Sequence, residues 1–315
     1  MIVLLFFLII AAFRVVQSIC GKRVSIEVKN TKTFFCFGVY YEVLAVIAGL
    51  IPLATTGFSG FNPATVACGA VTAAFLMINF YAQLNAVKGC NLIVSSMAGN
   101  GGMLIACFVS SFWFNESIGV TQYVGLALFL TSVYLITSAP KATENRQQKK
   151  ISKATWVLLA VVTLSESGVE VSQKFFSVRI GGNAAWYSFF MFATSSLIMA
   201  IGLAKMQLKE RSLKKSLDEN YCVACTDAPK EPKKFCLNKV LLICGAAEAV
   251  SILVVNLLIT ELGKTVDTVV LFPVSASIGI CITVLVGWIV YKEKLTLKNI
   301  LGVVIGLCAV ILLAI

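Results

Sequence analysis

The sequence predicts an all-α integral membrane protein whose ten transmembrane helices form two inverted five-helix repeats. Three observations carry that expectation: an apolar composition, an alternation of loop charge, and a stretch of sequence that occurs twice. Of 315 residues, 58% are hydrophobic and 13% charged, and the mean hydropathy is +0.90. A soluble domain carries about 25% charged residues. Most of this chain is therefore expected to be solvated by lipid.

A span needs about 20 mostly apolar residues to cross roughly 30 Å of hydrocarbon. Ten segments qualify: residues 2–20, 34–54, 63–86, 90–114, 120–139, 155–173, 184–204, 240–260, 267–290 and 299–315. The first is apolar apart from Arg14, Gln17 and Ser18. It lacks the basic lead and small-residue cleavage site of a signal peptide, so it is expected to be retained. The sixth contains Glu166 and Glu170. The ninth contains Pro273, which neighbouring helices tolerate by satisfying the freed carbonyl.

Loop charge tests the count. The loops after the odd-numbered spans carry 22 Lys and Arg and the alternate loops three, with Arg14 inside the first span completing the 26. Basic residues collect in cytoplasmic loops, which predicts both termini on the non-cytoplasmic face of a plasma (inner) or organelle membrane. The same clustering accounts for a net charge of +11 without nucleic acid, which is not expected as a partner.

Residues Ser96–Ile136 align without a gap on Pro273–Leu313, 177 positions on, pairing Gly102 with Gly279, Glu116 with Glu293 and Gly125 with Gly302. Upstream the same offset pairs Asn79 with Asn256. Five spans per copy is odd, so the second copy enters the membrane the opposite way up. That is the symmetry by which one midplane site faces each side in turn. The expected units are a first repeat at 1–140, a basic linker at 141–154 and a second repeat at 155–315, with a cytoplasmic basic loop at 205–239.

The motif Phe114-Asn115-Glu116-Ser117-Ile118 … Gln122 … Gly125, and its counterpart Tyr291-Lys292-Glu293-Lys294-Leu295 … Asn299 … Gly302, resembles the doubled signature of the drug/metabolite transporter superfamily, and most closely its EamA-like branch. The resemblance spans nearly the whole chain and implies ten helices around a cavity lined by helices three, four, eight and nine. It implies transport, with cargoes that range over amino acids, nucleotide sugars, sugar phosphates, purines and drugs. The family pattern has a proline early in helices four and nine; here Ser96 stands where the first would be.

An ionisable group in hydrocarbon costs at least about 2.5–3.5 kcal/mol, so it faces a partner or a wet cavity. Arg14 and Glu166 fall at similar depths of spans one and six. Arg14 can pair with Glu166 or Glu170, or it can hold a carboxylate or phosphate of a cargo while the glutamates bind a proton or the cargo's amine. Glu170 and Lys174, four apart on one helix, can also pair with each other. Glu42 is expected to snorkel to the interface, and Glu248 on helix eight is a candidate for binding substrate or ion. Asn79, Gln83, Ser96, Asn100, Asn256 and Ser275 are candidate cavity residues, or interhelical glue. Glu116 and Glu293 are expected to sit at the start of the following helix, where a carboxylate complements the dipole. Tyr81, Trp113, Trp186 and Tyr187 are expected in interfacial belts. The glycines at 99, 101 and 102 and the Gly302/Gly306 pair are expected to pack helices closely, with a homodimer face the alternative.

The chain has no histidine, which removes the usual general base and metal ligand. Cys222, Cys225 and Cys236 fall one ligand short of a structural zinc site. Neither an enzyme nor a metal or cofactor is therefore expected. The expected function is alternating-access transport of a small polar metabolite, an amino acid, nucleotide, sugar derivative or drug-like compound, driven by its own gradient or by protons. The competing reading is a non-transporting membrane scaffold or receptor-like subunit that acts through loop 205–239.

Overall fold

The computed structural model of the protein describes residues 2–28, 30–56, 61–89, 92–137, 152–220, 237–289 and 297–314. These form ten α-helices: α1 (Ile2–Glu27), α2 (Thr31–Thr56), α3 (Pro63–Gly89), α4 (Leu92–Phe114), α5 (Val120–Thr137), α6 (Lys153–Phe175), α7 (Ala184–Asn220), α8 (Lys239–Leu262), α9 (Thr268–Ile289) and α10 (Leu297–Ala314). A π-helical turn, Phe176–Ile180, extends α6. No strand occurs among the described residues. The chain is all-α, and α1, α2, α3, α6, α7 and α8 are each long and apolar enough to cross a membrane. In α4, α5, α9 and α10 the apolar stretches among the described side chains are Gly101–Phe114, Val120–Ser132, Thr268–Ile278 and Ile300–Leu313. Large apolar side chains cover the outer faces, among them Leu4, Ile51, Phe112, Trp156 and Ile243. This is the make-up of an integral membrane protein.

Helix ends follow local chemistry. The Asn62 Oδ1 accepts from the Ala64 amide at 2.9 Å, with Pro63 in the first helical position, where its missing N–H costs nothing. Ser152 Oγ accepts from the Thr155 amide at 3.2 Å, and Asn238 Oδ1 from the Leu241 amide at 2.9 Å. Gly181, at φ 65°, supplies the left-handed residue that ends the π turn, a conformation that penalises a Cβ. The polar stretch expected as a loop from residue 205 instead continues α7 to Asn220. Lys205–Glu210 is rich in straight-chain helix formers, and Lys32 of α2 donates to Glu210 at 2.8 Å. Residues 221–236, with Cys222, Cys225 and Cys236, lie outside the described residues.

The packing partners are α1 with α8 and α9, α6 with α3 and α4, α2 with α7 and α8, α3 with α7, and α5 with α10. One apolar core joins α2, α3, α7 and α8 around Phe34, Phe37, Tyr187, Phe192 and Leu253. A second joins α1, α4, α5, α8 and α9 around Ile10, Met103, Phe129 and Leu271. Tyr187 is not in an interfacial belt. It is fully buried, stacks on Phe176 with centroids 4.4 Å apart and shares a 2.8 Å hydrogen bond with Thr72 Oγ1. Tyr81 and Trp113 are exposed, as a belt position requires. Tyr187→Phe keeps the stack and deletes only the hydroxyl. The expected loss is about 0.6 kcal/mol, the average for an interhelical hydrogen bond in a membrane, read as a small fall in thermal midpoint; a fall like that of a core truncation would contradict it.

The Gly302/Gly306 surface is turned inward. Ser132 Oγ of α5 donates to the Gly302 carbonyl at 2.6 Å and faces Gly306. These glycines seat α10 on α5 within the chain.

Candidate functional site

Among the described residues, six Arg, Lys and Glu side chains lie within the apolar length of the helices: Arg14 on α1, Glu42 on α2, Glu166, Glu170 and Lys174 on α6, and Glu248 on α8. Arg14 faces both Glu166 and Glu170. None of the ion pairs among the described residues joins them; the guanidinium Nη1 instead donates to Gln17 Oε1 at 3.2 Å. All three residues keep partial accessible surface. One Glu170 oxygen, Oε2, and one Glu248 oxygen, Oε2, are buried with no hydrogen-bond partner.

Lys174 does not pair with Glu170. Its Nζ lies 2.7 Å from Glu116 Oε1, with the two side chains only 4% and 9% exposed, and it donates to the Val266 carbonyl at 2.8 Å. Glu116 does cap a helix, but the helix is α9. The Thr268 amide donates to its Oε2 at 2.9 Å, and the Thr268 hydroxyl to its Oε1 at 3.2 Å. The turn after α4 explains the difference. Asn115 takes φ 56°, Ser111 Oγ holds the Glu116 carbonyl at 2.8 Å, and the carboxylate is thereby directed across to α9. A carboxylate at a helix start with a buried ammonium is charge-assisted on both sides. Arg179 adds a 3.4 Å contact to the Trp113 carbonyl at the same end of the molecule. Glu293 lies outside the described residues.

Asn79 is buried, and its Nδ2 donates to the Val162 carbonyl of α6 at 3.1 Å. Asn256 Oδ1 accepts from Gln173 Nε2 of α6 at 2.5 Å. Ser177 Oγ lies 2.7 Å from the Thr260 carbonyl of α8. The two asparagines therefore tie α3 and α8 to the same helix, α6. Gln83 is half-buried. Ser275 and Ser277 on α9 are buried, each with an unpartnered hydroxyl oxygen. The side chains of Ser96 and Asn100 lie outside the described residues. Gln17 and Gln173 join the site unanticipated. Their spacing marked them, since Gln17 follows Arg14 by three and Gln173 follows Glu170 by three on their helices.

Glu42 does not snorkel. It has no exposed surface, because α2 and α7 pack along their length and the carboxyl lies in that seam, 2.5 Å from Ser195 Oγ. Among the described residues no group of three His, Cys, Asp or Glu side chains could hold a metal ion. Chemically, one guanidinium beside two carboxylates suits a ligand that carries both charges, or a proton.

No family model matches the chain, and no curated protein matches it in sequence. Among solved structures the chain is similar to one described as a crystal structure of protein, at 11% identity and a TM-score of 0.69. That match covers 98% of this chain and 94% of that one. The likeness is one of fold alone.

Proposed function

We propose that the protein is a transporter of a small polar metabolite, built as ten spans in two inverted repeats of the EamA-like, drug/metabolite transporter kind, and working by alternating access. The observation that carries this reading is the Arg14, Glu166 and Glu170 set, partly accessible inside an apolar helix bundle with no ion pair joining Arg14 to either glutamate. Charges kept in that state cost free energy, which a cargo or coupling ion offsets when it binds.

The helix partnerships support the inverted repeat. Shifting every helix by five turns α1–α8 into α6–α3, α1–α9 into α6–α4 and α2–α8 into α7–α3, while α2–α7 and α5–α10 map onto themselves. That is the pattern of a two-fold relation between halves. The symmetry is incomplete: α6 is fastened at its end to α8, α9 and the Glu116 turn, whereas α1 packs chiefly on α8 and α9. On the orientation that loop charge implies, those ties lie on the non-cytoplasmic side, while on the cytoplasmic side Asn238 before α8 donates to Glu27 at the end of α1 at 2.8 Å. On this reading, making and breaking such ties presents the site to each side in turn.

Glutamates outnumber Arg14 at the site, so the reading favours a cargo with a positive charge beside its carboxylate or phosphate. The test is thermal stabilisation of the purified protein across amino acids, nucleotides, nucleotide sugars and cationic drugs. A compound that binds only the folded state raises the midpoint. For an anionic or zwitterionic cargo Arg14→Ala should abolish the shift. An unchanged shift removes Arg14 from the site, and no stabilising compound together with no flux in proteoliposomes removes the transporter reading.

A further inference from the structure

Glu42 stands apart from the Arg14 set. Its side chain is fully enclosed in the seam between α2 and α7. On α7 the facing group is Ser195, and between Ala184 and Ala204 that helix has no charged residue. On α8, the other helix packed closely on α2, the titratable groups within the span are Cys244 and Glu248, and Glu248 shares the Tyr41 hydroxyl with Glu42 as an electrostatic neighbour. Lys239 and Glu261 stand at the ends of α8. On α2 itself Tyr41 sits against the carboxyl, the Tyr40 hydroxyl donates away to the Leu242 carbonyl at 3.0 Å, and Lys32 is engaged with Glu210. Arg23 of α1 acts on Cys20. Among the described residues no cation accompanies Glu42.

The hydrogen-bond inventory then fixes where a proton sits. Ser195 Oγ lies 2.5 Å from Glu42 Oε2 and 3.0 Å from the Phe192 carbonyl. A carbonyl and an ionised carboxylate both only accept, and a hydroxyl has one proton to give. With an ionised Glu42, one of the two contacts lacks a full proton. With a carboxylic acid, Glu42 donates to Ser195, Ser195 donates to Phe192, and both are satisfied. The free Oε1 points the same way. No donor lies within hydrogen-bond distance of it, although the Tyr41 hydroxyl adjoins the carboxyl as a second donor beside Ser195; an oxygen left without a donor costs far more on a shared negative charge than as the carbonyl oxygen of a neutral acid.

We propose that Glu42 is a proton-binding site of this protein, holding its proton while α2 and α7 are packed together and releasing it to water when that seam opens. Release breaks the O–H bond at Glu42, passes the proton to water and leaves a carboxylate that needs hydration, so the charged form and the open seam occur together. That the proton is the coupling ion rests on the transporter reading; the site itself does not.

The test uses the full chain in lipid nanodiscs, with infrared difference spectra of the carboxylic acid stretch recorded as pH is raised. The wild type should show an acid band that bleaches; Glu42→Gln should lose it, while Glu166→Gln and Glu170→Gln keep it. The thermal midpoint of the wild type should fall as pH rises, because the native state holds a proton that the unfolded chain gives up, and Glu42→Gln should flatten that part of the slope. Ser195→Ala, which leaves the acid in place, should move the pH at which the band bleaches. A band that survives in Glu42→Gln, or an unmoved band in Ser195→Ala, overturns the assignment. No cargo is involved, so that failure leaves the transporter reading standing. A titrating Glu42 in a protein that no compound stabilises and that moves nothing supports the site and sinks the reading it would serve.

Discussion

Glu116→Ala should cost the folded protein about 3–5 kcal/mol, the range for removing one partner of a buried ion pair. The substitution leaves the Lys174 ammonium, 4% exposed, with the Val266 carbonyl as its remaining contact. It also frees the Thr268 amide and hydroxyl at the start of α9. One carboxylate thus joins the α4–α5 turn, the end of α6 and the start of α9, and its loss is felt on three elements. The measurement is thermal or denaturant unfolding of purified protein. Combining Glu116→Gln with Lys174→Met should recover a large part of the loss, because no unpaired charge then remains. A double variant as unstable as Glu116→Ala would show that the helix-start hydrogen bonds, and not the charge pair, dominate.

Gly102→Ala should be the next most damaging small change. A Cβ there would stand 2.7 Å from the Thr163 carbonyl oxygen, 2.9 Å from Glu166 Cβ and 2.9 Å from the Ser167 amide. Two of those three are backbone, which cannot rotate away, so α4 and α6 must separate. Overpacking of this kind costs about 1–3 kcal/mol, and the helix displaced is the one carrying Glu166 and Glu170. Lower thermal stability and weaker cargo stabilisation should therefore appear together. Gly99→Ala is the internal control: nothing lies within 4 Å of its added Cβ, and removing a helical glycine should leave stability equal or higher. Equal losses at both positions would mean that α4 and α6 do not cross at Gly102.

The contrast between these two glycines shows what the sequence could and could not disclose. Composition and run length are enough to locate helices, because an apolar stretch has few alternatives in lipid. Even so, the end of α7 was out of reach: polar residues from 205 onward read as loop, yet their helix propensity carries the helix on to Asn220. Which of three neighbouring glycines bears the crossing depends on the rotation of α4 against α6, a quantity no local pattern encodes. The ionisable residues divide the same way. That Arg14 lies beside Glu166 and Glu170 follows from the similar depth of Arg14 and Glu166 in corresponding spans. That Lys174 would pass over Glu170 for Glu116 depends on one positive φ at Asn115 and on where α9 begins. Glu42 misled for a physical reason, since its position along α2 is compatible with either interface or seam. Only the close packing of α7 decides between them.

The length of α7 has a mechanical consequence. At about 1.5 Å per residue, its 37 residues make a rod far longer than the hydrocarbon is thick, and the exposed Lys32–Glu210 pair ties it to α2 beyond its apolar part. A rod pivoting inside the bilayer magnifies at its free end whatever rotation occurs at the pivot. If α2 and α7 part even slightly around Glu42, the residues near Ser212 sweep a wider arc than those at the seam. A distance probe placed there would read out the seam from the aqueous phase, where labels are easiest to attach.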